Sequence, residues 1–197
     1  MIRSDLKSQI NFLSEIERLK IVYRQNGVID KSRFENSAEH SWHIAVMAIV
    51  LKRYCMNQEI DILKILKMLL VHDIVEVYAG DTHLYDDPGK EKANANEMMA
   101  AERIFGLLPD NQKKEFITLW KEFEEMSSRE AKYAAVLDNL QPLLNHLLTG
   151  ADNKENKILK SQVIGKKKFI KQVAPELWEL ALETIEKSVS KGLYEND

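Results

Sequence analysis

The groups in this chain that can hold a metal ion or move a proton are gathered in a few short stretches. LLVHDIVEVYAGD, residues 69–81, is among the most apolar segments, yet it carries an imidazole and three carboxylates: His72, Asp73, Glu76 and Asp81. Taking an unpaired carboxylate out of water is costly, so such groups pair, protonate or bind a cation. No Lys or Arg stands between Lys67 and Lys90 to pair with them, and a divalent metal ion would supply the missing charge. Further ligands are at hand. His40 and His43 in AEHSWH are three residues apart and can project from one face of a helix. Asp138 in VLDNLQP is a carboxylate among Val136, Leu137 and Leu140. Two imidazoles with two carboxylates suit manganese, iron, cobalt, nickel or zinc, with magnesium also admissible, and differ from the thiolate sets of structural zinc. An ion so held draws the pKa of a bound water from ~15.7 towards ~7 and polarises a phosphoryl oxygen.

Helical spacing must position these groups. Leu6, Ile10, Leu13, Ile16 and Leu19 follow Ser4 at intervals of three and four, which predicts an amphipathic helix over residues 5 to 23, broken by Gly27. Asn36 with Glu39 matches a capping box and opens a second helix through residues 44–51. Asp61 opens a third, with Leu63, Leu66, Leu70, Ile74 and Val77 as its buried stripe and Gly80 after its end. On such a helix His72 and Glu76 are stacked neighbours, and Asp73 lies about 100° around from His72. Beyond the loop DTHLYDDPGKEK come a helix ending before Pro109, a fifth around Phe116 to Phe123, and a sixth carrying Ala134, Leu137, Leu140, Leu144 and Leu147 that Pro142 should kink. The hydrophilic loop GADNKENK precedes two last helices, over residues 158–173 and from Pro175 to about Lys191. No strand signal competes. The expectation is all-α: one helical domain over residues 1–197, with a metal-binding core over about 15–150 and C-terminal helices over 158–192 packed on it.

Composition removes other classes. With 45% hydrophobic and 30% charged residues in 197, the chain reads as globular, not disordered. A net charge of -3 leaves no footprint for nucleic acid. The longest apolar run, IAVMAIVL, is far below the ~20 residues that span a bilayer, so no membrane partner and a cytoplasmic location are expected. Cys55, the one cysteine, reads as a small buried side chain.

Taken in order, ENSAEHSW, VHDIVEVYAGD and VLDNLQP resemble the H…HD…D signature of the HD-domain metal-dependent phosphohydrolases. The likeness is to the small single-domain branch with the bacterial 5'-deoxynucleotidases and their eukaryotic relatives. It runs from ERLKIVYR to the helix with Asp138, and more weakly to ELWELA. The resemblance implies a single HD-domain helical bundle with His40, His72, Asp73 and Asp138 as metal ligands. It places Glu76 and Asp81 in catalysis, whether by orienting the attacking water, accepting its proton or holding a second cation. Arg24 and Arg33 match arginines that meet the substrate phosphate, a task for which the planar guanidinium fork is suited. One departure stands out: the enterobacterial-type deoxynucleotidases place Trp after the arginine where this chain has Gln25, so sugar or base recognition built on that ring does not carry over. Asn94 and Asn96 stand where relatives are usually charged.

The resulting expectation is an enzyme that hydrolyses a small phosphate substrate, foremost a deoxynucleoside 5'-monophosphate, and works as a homodimer. The alternatives are hydrolysis of an alarmone, a cyclic nucleotide or another phosphomonoester, or a metal-stabilised nucleotide sensor without turnover. Other residues have plainer readings. His43 is expected behind the ligands or packed, His83 in an acid-rich loop, His146 packed or solvated, Trp42, Trp120 and Trp178 in the core, and GKKKF at 165–169 on a solvated basic face.

Overall fold

Capping chemistry starts the helices that carry the candidate ligands. In the computed structural model, which describes residues 4–80, 90–150 and 158–197 (backbone alone over 90–95), α1 spans Ser4–Ile16. A 3-10 turn follows at Glu17–Ile21, then strands β1 (Tyr23–Gly27) and β2 (Phe34–Asn36). Helix α2, Ser37–Leu51, opens on Asn36 with both bonds of the capping box: Glu39 N donates to Asn36 Oδ1 at 2.9 Å, and Asn36 N to Glu39 Oε2 at 3.2 Å. Helix α3, Ile62–Val71, opens on Asp61, whose carboxylate accepts from Leu63 N and Lys64 N. Such a cap contributes about 1 kcal/mol.

The sequence pattern carries α3 through to residue 77, but the chain tightens into a 3-10 turn at His72–Val75 and resumes as the single turn α4, Glu76–Ala79. Gly80 follows at φ 77°, a value glycine adopts without strain. The tightening advances each residue roughly 20° further around the axis than an α-helix does, and this phase shift has a packing cause. Ile65, Met68 and Leu69 face one core shared with α2 and with the later helices, whereas Val71, Ile74 and Val75 face a second core built with α1 and with residues 100–120. His72 and Asp73 sit at the switch between the two. The predicted stripe is therefore split: Leu66 packs against the first core, Ile74 and Val77 against the second, and Leu63 and Leu70 are exposed.

Helices α5 (Lys90–Phe105) and α6 (Asp110–Glu124) complete the second core through Ala101, Ile104, Phe105 and Trp120. Helix α7, Arg129–Thr149, capped by Ser128, runs through Pro142 without interruption and ends at Gly150 in the left-handed region. The C-terminal segment forms α8 (Lys160–Lys167), α9 (Ile170–Val173) and α10 (Pro175–Ser190), with Pro175 in the first turn. Val163, Ile170, Leu177, Ala181 and Ile185 join the core that α7 shares with α2 and α3.

Two expectations need correction near the N-terminus. The first helix ends at Ile16, not near residue 23, and Leu6, Ile10 and Leu13 point outward while Phe12 is buried. The polar loop predicted after it contains an antiparallel ribbon, with Tyr23 opposite Asn36, Gly27 opposite Phe34 and an irregularity between. YRQNG shows no apolar alternation; its pairing is specified by tertiary anchors such as the bond from Asn26 Nδ2 to Pro142 O at 3.2 Å. Among the described residues, no helix is long and apolar enough to cross a membrane.

Candidate metal centre

Groups from α2, from the 3-10 turn after α3 and from α7 converge. His40 Nε2 lies 2.9 Å from Asp138 Oδ1. His72 Nε2 lies 2.9 Å from Asp73 Oδ1 and 3.7 Å from Asp138 Oδ1. One ligand atom from each of His40, His72 and Asp73 falls within 4.8 Å of the other two, and Asp138 joins through its contacts to both imidazoles. The two rings are 5.8 Å apart, and the His72 ring rests 4.8 Å from that of Phe123.

Each imidazole is oriented from behind. His72 Nδ1 stands 3.0 Å from Leu69 O, which can only accept, so that nitrogen carries a proton and Nε2 is the atom turned towards the cluster. Nε2 is buried and, although close to Asp73, makes no well-directed hydrogen bond. A buried nitrogen without a partner in line, inside a set of two nitrogens and two carboxylates, fits a ligand of a divalent metal ion. His40 Nδ1 lies 3.0 Å from Gln141 Oε1, and Gln141 Nε2 donates to Glu35 Oε1 at 2.9 Å. Glu35 therefore sets the amide so that its oxygen faces His40. Replacing Gln141 by leucine should weaken manganese binding about 10- to 100-fold, the usual cost of losing a group that orients a ligand; titration calorimetry on the metal-free protein measures it.

The local field is strong. Burial opposes a charge on His72, but the Asp73 and Asp138 carboxylates outweigh it and hold the imidazole well above its usual range. Burial likewise opposes ionisation of Asp138, yet His40 and His72 keep it well below the ordinary carboxylate value. Asp73 is lowered too, against its burial, by His72 and Arg24. Arg24 on β1 donates from Nη1 to Asp73 Oδ2 at 3.1 Å, which brings the guanidinium to the centre's edge.

The other predicted residues are placed as follows. Glu76 opens α4, one turn after His72, and its Oε2 accepts from Ser37 Oγ at 2.5 Å. Arg33 is forked onto Glu39 at 2.8 and 2.5 Å on the exposed side of the capping box. Asp81 and His83, both singled out above, lie outside the described residues, as does the side chain of Asn94. His43 is largely exposed, with Nδ1 a long 3.4 Å from Gln141 Nε2. His146 is buried against Tyr194, and Trp120 and Trp178 are in the core. Trp42 is 65% exposed on the outer face of α2, contrary to expectation.

Several residues at the centre escaped the sequence reading. Ser37 and Gln141 carried a usable signal, since Ser37 precedes His40 by three residues and Gln141 follows Asp138 by three, placing each pair on one helical face. Glu97 on α5 and Glu124 on α6 carried none. Burial and then the Asp73 charge raise Glu97, while burial and then Glu97 push Glu124 up to about 7. Much of Glu124 is exposed, so solvent screens part of this effect. Lys167 contradicts the reading of GKKKF as a solvated face: it is 3% exposed, and burial lowers its ammonium to about 8.

The family model described as HD domain matches residues 16–178. The 5'-deoxynucleotidase HDDC2 of Homo sapiens is 34% identical over 139 residues, covering 70% of this chain and 66% of that protein. The 5'-deoxynucleotidase HDDC2 of Xenopus laevis is 32% identical over 142 residues, covering 72% and 69%. The matched region thus spans about two thirds of these relatives. A crystal structure of a predicted metal-dependent phosphohydrolase from Magnetospirillum magnetotacticum MS-1 superposes with a TM-score of 0.89 at 39% identity, covering 98% of this chain and 99% of that one. The PH0347 protein of Pyrococcus horikoshii OT3 shares the fold, with a TM-score of 0.65 at 22% identity and coverage of 89% and 97%. This chain belongs to the HD-domain family of metal-dependent phosphohydrolases.

Proposed function

We propose that this protein hydrolyses a deoxynucleoside 5'-monophosphate to the deoxynucleoside and inorganic phosphate, with His40, His72, Asp73 and Asp138 holding a divalent metal ion. The observation that carries the reading is the convergence of those four side chains beside Arg24; the 5'-deoxynucleotidase relatives support the substrate class. Such an ion, when bound, supplies a Lewis acid for a phosphoryl oxygen and makes its bound water more acidic. Arg24 holds the substrate phosphate through its planar fork, with Asp73 fixing the guanidinium. Glu76, steadied by Ser37, orients the attacking water and takes its proton on a carboxylate oxygen. Asp81 shares in this proton transfer or holds a second cation. Arg33 would have to leave Glu39 to reach a phosphate. Manganese, cobalt, iron, nickel and zinc all suit the donor set, and magnesium is admissible.

We read the whole of residues 1–197 as one HD domain that acts on a small phosphate substrate, not on nucleic acid or a membrane, in the cytoplasm. A homodimer is part of this reading, supported by the apolar outer face of α2, where Trp42, Val46, Ile49 and Val50 are exposed. The experiment is phosphate release from deoxy- and ribonucleoside monophosphates, a cyclic nucleotide and an alarmone, after reconstitution with manganese, cobalt or magnesium. Release is expected from the deoxynucleoside monophosphates, to vanish with chelator, and at limiting metal to fall as the pH drops. The last follows because a proton on His72, favoured by Asp73 and Asp138, competes with the ion for the same nitrogen. Metal and nucleotide binding without turnover would instead mark a sensor.

A further inference from the structure

We infer that Lys167 is a positioning residue for the metal centre: its ammonium clamps the turn of α7 that carries Asp138, so that α8 sets where this ligand stands. The inference rests on the proposed metal role of Asp138. Lys167 Nζ donates to Asn139 O at 2.9 Å and to Asn139 Oδ1 at 3.2 Å. Asn139 Nδ2 in turn donates to Ala135 O at 2.9 Å. The pair of residues thereby fastens α7 from 135 to 139, on both sides of Asp138.

This turn needs fastening. Pro142 has no N–H to give the Asp138 carbonyl four residues earlier, and its ring crowds the same carbonyl. The helix is weakest where its ligand must be held still. The position of Lys167 also asks for a reason. Val163, Lys167 and Ile170 recur at four and three residues along the inward side of the C-terminal segment, and all three are buried, while Lys168 is exposed. An apolar residue would fill this core position without desolvating a charge, so the ammonium serves the groups it touches.

The test compares the wild-type protein with Lys167→Met, which keeps the stem and loses the donor, and Lys167→Gln, which keeps a donor and loses the charge. Circular dichroism and thermal midpoints of the metal-free proteins report folding, manganese titration reports affinity, and the visible spectrum of bound cobalt reports ligand geometry. Charge alone predicts tighter binding in Lys167→Met, because a cation next to the site has been removed. The clamp predicts the opposite sign: about tenfold weaker manganese binding and an altered cobalt spectrum in Lys167→Met, with Lys167→Gln restoring most of both. Folded variants that bind manganese as tightly as wild type, or tighter, with an unchanged cobalt spectrum overturn the inference. So does failure of both variants to fold, which would make Lys167 a residue of the core. If the wild-type protein binds neither ion, the metal-centre reading itself falls and takes this inference with it.

Discussion

Replacing Asp73 by alanine is expected to lower phosphate release by at least about 10³-fold while leaving the helical content unchanged. One carboxylate serves two groups here. Asp73 Oδ1 lies 2.9 Å from His72 Nε2, and Oδ2 accepts from Arg24 at 3.1 Å. The substitution therefore removes a proposed metal ligand and also the anchor of the arginine proposed to hold the phosphate. Arg24→Ala separates the two contributions: it should raise KM for the nucleotide strongly and leave manganese affinity within a few-fold. The measurement is steady-state phosphate release at saturating manganese, with circular dichroism as the folding control. An Asp73→Ala protein that keeps more than a tenth of the wild-type rate would sink the metal-centre reading.

Glu76→Gln should cost about 10²- to 10⁴-fold in kcat, the range for a lost general base. Glutamine keeps the size of the side chain and an oxygen for Ser37 Oγ, so position is retained and the capacity to take a proton is removed. Manganese affinity should stay within a few-fold of wild type. That split is the informative part: if the affinity or the number of bound ions drops together with kcat, Glu76 holds a second cation instead of accepting the proton.

The parts of the fold legible in the sequence were those written in local chemistry. Asn36 with Glu39, Asp61 and Pro175 marked helix starts because capping depends on groups within four residues of each other. The pairs His40–Ser37 and Asp138–Gln141 are legible for the same reason. Where two packing surfaces compete, local pattern fails. The apolar run from Ile62 to Val77 reads as one helix because both of its faces are apolar. Only the two separate cores decide that it must change phase at His72. Lys167 sits inside a run of three lysines, and nothing in that run tells which one turns inward.

The sequence by itself determined which residues are fit to hold a metal ion, and that helices would present them, because ligand chemistry and helical period are properties of residue type and spacing. Tertiary structure decided that His40, His72, Asp73 and Asp138 meet, that Gln141 and Leu69 O aim the imidazoles, and that Arg24 comes to Asp73 from an unforeseen strand. Contacts such as Arg24–Asp73 and His40–Asp138 join residues 49 and 98 positions apart. Their geometry follows from how two cores pack against one another, and no local pattern along the chain encodes it.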